Sequence, residues 1–261
     1  MIEYRVFAPQ DIPEVTSGSS ISQIIIASLQ DSPLQDGDIV LLAHKIVSKA
    51  EGRMINLAGI TPSPEALKYA EENGHDPRLI QVIMDESREV LTHGANRPMI
   101  CRHRMGFICA NAAVDCSNAK PDHCIALPWD ADASADRIRA QLEAALGIRV
   151  GVIICDTHGR PFRNAACGVA VGSSGVMMAK SYIGQLDRAN RVMRSSVEAV
   201  GDELAAAATL IMGQCDEGRP IAVIRGLSGL LGNGCTQDLV RPVERDIFYQ
   251  ALRKQNEAKE V

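Results

Sequence analysis

Short apolar runs alternate with amphipathic segments along this chain, and the alternation predicts a protein of the α/β (mixed α+β) class. The clearest strand signals are continuous apolar runs, which are typical of strands buried on both faces. These runs, together with weaker strand-like segments, lie at residues 2–8, 39–43, 99–101, 106–110, 123–127, 148–156 and 220–227.

Capping signals and helical spacing predict the helices. Ser63-Pro64 and Asp76-Pro77 each place a capping residue before a proline at the first helical position. The first of these helices should end at Gly74, and the second should run to about Thr92. Further helices are predicted over residues 20–31, from Asp132 or Ser134 to Gly147, over about 190–212, and over 243–260.

Composition and charge restrict the classes of function. We expect a single unit over residues 1–261, and two intertwined subdomains remain the open alternative. Aromatic residues make up only 3% and the net charge is −5, which argues against a nucleic-acid partner. No run of about 18 apolar residues is present, so we expect no membrane span. The chain has no signal-peptide pattern and no CxxC pair among its eight cysteines, so we expect a cytoplasmic protein with reduced thiols.

Two aspartates each follow an apolar, strand-like run. Asp115 is followed by Ser117 and Asn118, and Asp156 is followed by Thr157. Hard cations bind carboxylate and hydroxyl oxygens, so the pair indicates a divalent-metal site for phosphate chemistry. The alternative is that each aspartate only caps a turn or a helix.

Basic residues follow the apolar run at 39–43. His44, Lys45, Lys49 and Arg53 are expected in one loop at the exit of a buried strand, where they could clamp a polyphosphate. A solvated basic loop is the alternative interpretation. The chain has no GxxxxGK[ST] motif, and GVAVGSSGV does not fit the Rossmann glycine spacing.

Two more segments carry candidate chemistry. Arg160 and Arg163 follow Asp156 and suit an anionic substrate or a phosphate, unless they are ordinary surface arginines. The turn after the helix at 190–212 offers Gln214, Asp216 and Glu217. A helix C-terminus carries partial negative charge, so this turn could complete a cation site, or it is an acidic surface loop.

An ordered series of segments resembles one family, the coenzyme F-420-0:L-glutamate ligases. The series is AHKIVSKAEGR, ESREVL, GFICANAAVDCSN, LPWDADASADRIR, GVIICDTHGRPFR, AAAATLIMGQCDEG and PIAVIRGL. The resemblance runs from the first strand to roughly Leu227. It implies a two-lobed fold with mixed sheets flanked by helices, and a homodimer.

The resemblance also implies an activity, which is a GTP- and divalent-metal-dependent ligation. Such an enzyme adds L-glutamate to the carboxylate of a deazaflavin cofactor precursor through an acyl phosphate. The implied cofactors are GTP as co-substrate and Mg²⁺ or Mn²⁺, with K⁺ as a further cation.

Individual site residues follow from the same resemblance. Asp115 and Asp156 would hold one divalent ion, and Thr157 and Gln214 would belong to a second. Lys49 would stabilise phosphate charge, while Arg160 and Arg163, by their charge and placement, would orient the acceptor. The nucleotide-contacting residues would be Ile12, Pro13, Glu14, Val15, His44, Lys45, Lys49, Asn118, Met212, Gly213, Gln214, Cys215, Asp216, Glu217, Gly218 and Arg219.

Three departures from the family pattern keep alternatives open. Gln214 is a neutral ligand where some members have glutamate, DRANR at 187–191 replaces a DLxGR-like segment, and IPEV at 12–15 replaces a more apolar loop. One alternative is the same ligase chemistry on a pterin- or folate-like carboxylate. The other is a non-catalytic protein that binds a nucleotide or a deazaflavin.

Overall fold

The strands of the chain form one central sheet and three small ones. The computed structural model describes residues 1, 3–92, 94 and 97–257. The described strands are β1 (Arg5–Phe7), β2 (Ile39–Ala43), β3 (Met54–Asn56), β4 (Ser87–Thr92), β5 (Ile100–His103), β6 (Ile108–Ala110), β7 (His123–Ile125), β8 (Gly151–Arg160), β9 (Arg163–Ser174), β10 (Lys180–Ser181), β11 (Val197–Glu198) and β12 (Ile221–Arg225). The α-helices are α1 (Ile21–Ser28), α2 (His44–Ala50), α3 (Pro64–Asn73), α4 (Pro77–Asp85), α5 (Ala131–Leu146), α6 (Val200–Met212) and α7 (Ile247–Glu257).

The central sheet has the strand order β1-β12-β2-β8-β9. Strands β2 and β8 are parallel, and the other neighbours are antiparallel. Alternate residues of β2 point to opposite faces, so Val40 and Leu42 join one core with α1 and α5, while Ile39 and Leu41 join another core with α6. The prediction of an α/β protein with mixed sheets flanked by helices is confirmed.

A third core lies away from the central sheet. It joins α3 and α4 to the small sheets β4-β5-β6 and β3-β7. Helix α3 begins at the predicted cap Ser63, whose side chain accepts from the N–H of Ala66, and it ends at Gly74 in the left-handed conformation. The arrangement of residues 1–261 as one unit or as two intertwined subdomains stays a prediction.

Two predicted helices are too long. The helix from Asp76 ends at Asp85, and the segment predicted to continue it forms strand β4, which pairs with β5. The helix predicted from about 190 begins at Val200, because the residues just before it form β11, which pairs with β10. In both places pairing with the next or preceding strand of the chain overrides a local helical pattern.

Three other predictions, at the central sheet and at a helix beside it, were wrong in detail. The segment expected as a basic loop after β2 is helix α2, with Ile46 and Val47 buried in the core. Strand β8 does not end before Asp156 but continues to Arg160, paired with the unpredicted strand β9. Helix α5 is capped by Asp130, whose side chain accepts from the N–H of Ala133, not by Asp132 or Ser134.

Membrane-spanning helices are absent from the described ranges. No helix there combines the length and the apolar character that crossing a bilayer requires.

Candidate functional site

A cavity of about 470 Å³ opens beyond the end of β2 and beside the middle of β8. In α/β folds, ligands commonly bind beyond the carboxyl ends of the parallel strands. The residues that line it come from five parts of the chain. They are Glu14; Ala43, His44, Lys45, Ile46 and Lys49; Asp115, Ser117 and Asn118; Cys155, Asp156 and Thr157; and Thr209 with Met212, Gly213, Gln214, Cys215, Asp216, Glu217, Gly218, Arg219 and Pro220.

Helix α2 directs two lysines into this cavity. Lys45 and Lys49 are four residues apart, so they share one face of the helix. The Nζ atom of Lys45 lies 2.5 Å from Oδ2 of Asp115 and also contacts the hydroxyl of Ser117. The Nζ atom of Lys49 lies 2.6 Å from Oε1 of Glu14. Each lysine is therefore paired with a carboxylate from a different loop.

A left-handed turn before Asp115 positions its carboxylate. Asn111, Ala112 and Ala113 have φ values of 50°, 48° and 57°, a conformation that costs free energy for residues other than glycine. After this turn, the backbone of Asp115 exchanges two hydrogen bonds with Ile125, of 3.0 and 2.8 Å. The surrounding structure thus fixes the backbone of Asp115 in spite of the local strain.

Neighbouring donors keep the Asp115 carboxylate ionised. Its Oδ1 accepts from the N–H of Ser117 at 2.8 Å, and its Oδ2 accepts from the Ser117 hydroxyl at 2.7 Å. Burial raises the pKa of Asp115, but the hydrogen bonds from Lys45 and Ser117 outweigh burial and hold this pKa below its usual value. A charged carboxylate is the form that a cation binds.

Two imidazoles flank Asp156. Its Oδ2 accepts from Nε2 of His158 at 3.1 Å, and Nε2 of His44 lies 3.6 Å from its Oδ1. The N–H of Thr157 donates to Oδ1 at 2.7 Å. Burial raises the pKa of Asp156, but the two imidazoles and this N–H outweigh burial and leave the pKa at about 2. Burial lowers the pKa of His44, so its imidazole is neutral at neutral pH.

The opposite wall is the loop that follows α6. Gly213 ends the helix with φ +78°, and a Cβ atom there would collide with the Glu217 side chain. That carboxylate accepts from the N–H of Cys215 at 2.8 Å and so shapes the loop. The Thr157 hydroxyl donates to Oε1 of Gln214 at 3.1 Å, which joins this wall to β8.

The donor atoms around the cavity suit a hard cation. Asp115, Asp156, Thr157 and Gln214 all present oxygen atoms. Across the described residues, no three His, Cys, Asp or Glu groups gather as a ready metal site. Magnesium usually binds one or two carboxylates and completes its shell with waters and substrate phosphates, so two aspartates and neutral oxygens fit it. They fit a softer metal with thiolate ligands poorly.

Several predicted residues lie away from the cavity. In the segment 12–15 only Glu14 lines it: Val15 is buried in the core, Ile12 packs against that core, and Pro13 lines a separate surface hollow. Arg53 is buried and pairs with Glu86. Arg53 therefore does not belong to a phosphate clamp with the lysines.

Arg160 and Arg163 lie beyond the cavity on the β8–β9 hairpin. They face each other across the last pair of the ladder. Four residues separate Arg160 from Asp156, which is roughly 13 Å along an extended strand. Nη1 of Arg160 is buried and has no hydrogen-bond partner among the described residues. Neither arginine lines the cavity, and their role in orienting an acceptor stays a prediction.

Sequence reasoning did not assign a role to three residues at the cavity or next to it. Ser117 bridges Lys45 and Asp115, and Thr209 of α6 lines the wall. His158 was missed because Asp156 was expected at a strand end. In a continuing strand, residues two apart share a face, and that periodicity would have found His158.

Fold and site together define an α/β protein with an oxygen-lined, lysine-bearing cavity suited to a metal–polyphosphate ligand. A family model described as F420-0:γ-glutamyl ligase matches residues 10–226. The chain therefore belongs to the F420-0:γ-glutamyl ligase family, and the predicted resemblance is confirmed.

Curated relatives agree with this assignment. The coenzyme F420:L-glutamate ligase of Methanothermobacter thermautotrophicus is 44% identical over 243 residues, which cover 92% of this chain and 96% of that protein. The protein of the same name from Methanocaldococcus jannaschii is 44% identical over 216 residues, 83% of this chain and 86% of that protein. The one from Archaeoglobus fulgidus is 34% identical over 250 residues, 96% of this chain and 98% of that protein.

Proposed function

We propose that this protein is a ligase that adds L-glutamate to the carboxylate of the deazaflavin coenzyme F420-0, with GTP as the co-substrate. Membership of the family and the names of its relatives support the acceptor and the amino acid. The observation that supports a nucleotide as co-substrate is the cavity, which brings two lysines of α2 together with Asp115 and Asp156 from two other parts of the chain. GTP phosphorylates the acceptor carboxylate, and the amine of glutamate then displaces phosphate from the acyl phosphate.

Positioning and charge neutralisation carry most of the catalysis in phosphoryl transfer. Lys45 and Lys49 place two positive charges on one face of α2, and in the proposal they bind phosphate oxygens. The loop from Met212 to Arg219 and the side chains of His44 and Asn118 surround the rest of the nucleotide. Lys49 stabilises the charge that develops on the transferred phosphoryl group.

The cations of the proposal are Mg²⁺ or Mn²⁺. Asp115 and Asp156 would hold one ion, and Thr157 with Gln214 would contribute to a second. A divalent ion supplies charge neutralisation at the phosphates and polarises the phosphoryl oxygens. K⁺ is a further cofactor of the proposal, tested by omitting it from the assay.

Arg160 and Arg163 orient the anionic acceptor in this proposal. They lie on the same hairpin as Asp156 and Thr157, so one rigid element connects the metal ligands to the two guanidiniums. The buried, unpartnered Nη1 of Arg160 supports a role for it beyond surface charge. The reaction is proposed to take place in the cytoplasm, where GTP is made.

The test is an end-point assay with purified protein, GTP, Mn²⁺, L-glutamate and F420-0, read by mass spectrometry. The expected product is heavier than F420-0 by one or more glutamyl residues, and one phosphate is released per bond formed. Tight GTP binding without any product would refute the acceptor and favour another carboxylate or a non-catalytic protein. Hydrolysis of GTP with no acceptor present would refute the ligase mechanism.

We further propose that the protein is a homodimer. The segment between β9 and α6 exposes four large aliphatic side chains, each at 55–61% exposure. They are Ile183, Leu186, Val192 and Val197. A cluster of this kind commonly marks an interface. Light scattering after gel filtration should give about twice the mass of the chain, and Leu186→Asp with Val192→Asp should give the monomer mass. A monomeric wild type would refute the proposal.

A further inference from the structure

The ion pair between Lys49 and Glu14 is asymmetric. The Lys49 side chain is only 10% exposed, whereas the Glu14 side chain is 76% exposed, and their charged atoms lie 2.6 Å apart. Glu14 can therefore turn into water at little cost, but the ammonium group of Lys49 remains in the cavity wall. Lys49 needs a partner there, because an unpaired charge that is largely removed from water is costly.

The loop that carries Glu14 is anchored at two points that follow this residue in the chain. Val15 is buried in the core at 2% exposure. The N–H of Gly18 donates to the carbonyl of Ala50, at the end of α2, over 2.8 Å. With the backbone held at these points, a rotation of the Glu14 side chain is enough to break the pair. No loop movement is required.

The second lysine of α2 is held in a different way. Its partner Asp115 also accepts two hydrogen bonds from Ser117, so that carboxylate is fixed in place. Glu14, by contrast, makes its one described hydrogen bond to Lys49. Of the two carboxylates that neutralise the α2 lysines, Glu14 is the one that can leave.

We propose that Glu14 is an exchangeable counter-ion of the nucleotide site, and that it sets the affinity of this site for a polyphosphate. This inference rests on the proposed nucleotide site. Without ligand, the Glu14 carboxylate occupies the position on Lys49 that a phosphate oxygen takes in the complex. On binding, Lys49 exchanges the carboxylate for phosphate, and Glu14 turns to solvent.

The exchange makes the site selective for ligands that carry phosphate. A polyphosphate supplies the negative charge that Lys49 loses when Glu14 turns away. The free-energy cost of breaking the ion pair is therefore offset. A nucleoside without phosphate cannot release Glu14, because nothing would neutralise Lys49. Glu14 therefore weakens the binding of every ligand whose phosphate reaches Lys49, and it does not affect ligands that lack one.

The test compares Glu14→Gln with Asp11→Asn in the full-length protein. Asp11 lies in the same loop but lines the separate surface hollow, and its positive φ of 57° is one that asparagine tolerates. Both variants remove one negative charge, and only Glu14→Gln removes the charge that pairs with Lys49. Titration calorimetry is run with GTP, with inorganic tripolyphosphate and with guanosine, each in excess Mg²⁺.

We expect Glu14→Gln to tighten the binding of GTP and of tripolyphosphate by roughly two- to fivefold, the scale of a partly exposed ion pair. Guanosine binding and the Asp11→Asn titrations should match the wild type. Unchanged or weaker GTP binding by Glu14→Gln would overturn the inference, as would equal tightening by both variants. If the wild type bound neither GTP nor tripolyphosphate, the nucleotide site itself would be refuted.

Discussion

The strongest stability prediction concerns the buried carboxylate of Glu86. Its side chain is 3% exposed and lies among three basic groups. Oε1 binds Nη2 of Arg53, Oε2 accepts from Nε of Arg104 at 3.0 Å, and Nε2 of His103 lies 3.7 Å from Oε2. Trp129 packs against both arginines, whose central carbons lie 3.9 and 4.7 Å from the ring centroid. Glu86→Gln keeps the shape and removes the charge that this cluster requires.

The magnitude follows from the pKa of Glu86. Burial raises this pKa, but the nearby His103 imidazole and the hydrogen bonds from Arg53 and Arg104 outweigh burial and lower the pKa from 4.5 to about 2. At 1.36 kcal/mol per unit, ionisation of Glu86 contributes about 3 kcal/mol to the free energy of unfolding at pH 7. For a chain of this size, the loss should lower Tm by roughly 6–12 °C.

The pH dependence separates this charge effect from a packing defect. A carboxyl whose folded pKa is depressed stabilises above its unfolded pKa of 4.5, and this stability is lost as the pH falls towards about 2. At pH 3 about 1 kcal/mol of the contribution should remain. The Tm difference between wild type and Glu86→Gln should therefore shrink between pH 7 and pH 3, measured by calorimetry. Glu71→Gln, at an exposed site on α3, is the control and should change Tm little at either pH.

An equal Tm difference at pH 7 and pH 3 would refute the reasoning, because it would show that the substitution acts through shape and not through charge.

Four further predictions concern the cavity. Asp156→Asn should abolish ligase turnover and, because the pKa of Asp156 is lowered from 3.8 to about 2, should lower Tm by roughly 5–10 °C while the protein still melts cooperatively; wild-type turnover at limiting Mg²⁺ would contradict the metal assignment. Thr157→Val should weaken Mn²⁺ binding in calorimetry and Thr157→Ser should not, since only serine keeps the hydroxyl oxygen; equal affinities would count against a cation there. Gly213→Ala should raise the KM for GTP, because its Cβ collides with Glu217, whereas Gly218→Ala, with a φ of +65° and open space, should raise it less; equal KM values would remove the collision as the cause. GTP should bind far more weakly in EDTA than in Mg²⁺, and equal affinity in both would exclude a shared metal–nucleotide site.

The sequence predicts the strands whose local pattern matches their burial. Strand β2 is buried on both faces and reads as a continuous apolar run. Strand β9 is buried over much of its length too, yet it is rich in glycine and alanine. Gly172 lies against the carbonyl of Ala131 in α5, and Gly168 lies against the carbonyl of Ala205 in α6. The helices approach β9 so closely that bulky side chains are excluded, and the apolar signal of the strand is lost with them.

The candidate site is predictable in part, although Asp156 lies within β8 and not at the strand end where it was expected. Asp115 and Asp156 were expected together, and they line one cavity. The pair of Glu14 and Lys49 was not expected, because 35 positions separate its members, and the packing of Val15 and the hydrogen bond from Gly18 to Ala50 bring the loop to α2. A contact of this kind depends on the tertiary fold, and no local spacing encodes it.

The charge balance of the cavity relates the ion pairs of Lys45 and Lys49 to the proposed metal ion. Five carboxylates line it, those of Glu14, Asp115, Asp156, Asp216 and Glu217, against the three permanent cations Lys45, Lys49 and Arg219. His44 adds no charge at neutral pH, because burial lowers its pKa. A polyphosphate entering alone would therefore meet a wall with an excess of negative charge, in a region where repulsion is less screened than in bulk water. The proposed divalent ion at Asp115 and Asp156 would cancel this excess of two negative charges, and the departure of Glu14 from Lys49 would remove one more negative charge from the wall. Metal entry and the release of Glu14 thus act in the same direction, and each makes the cavity a better site for the phosphates.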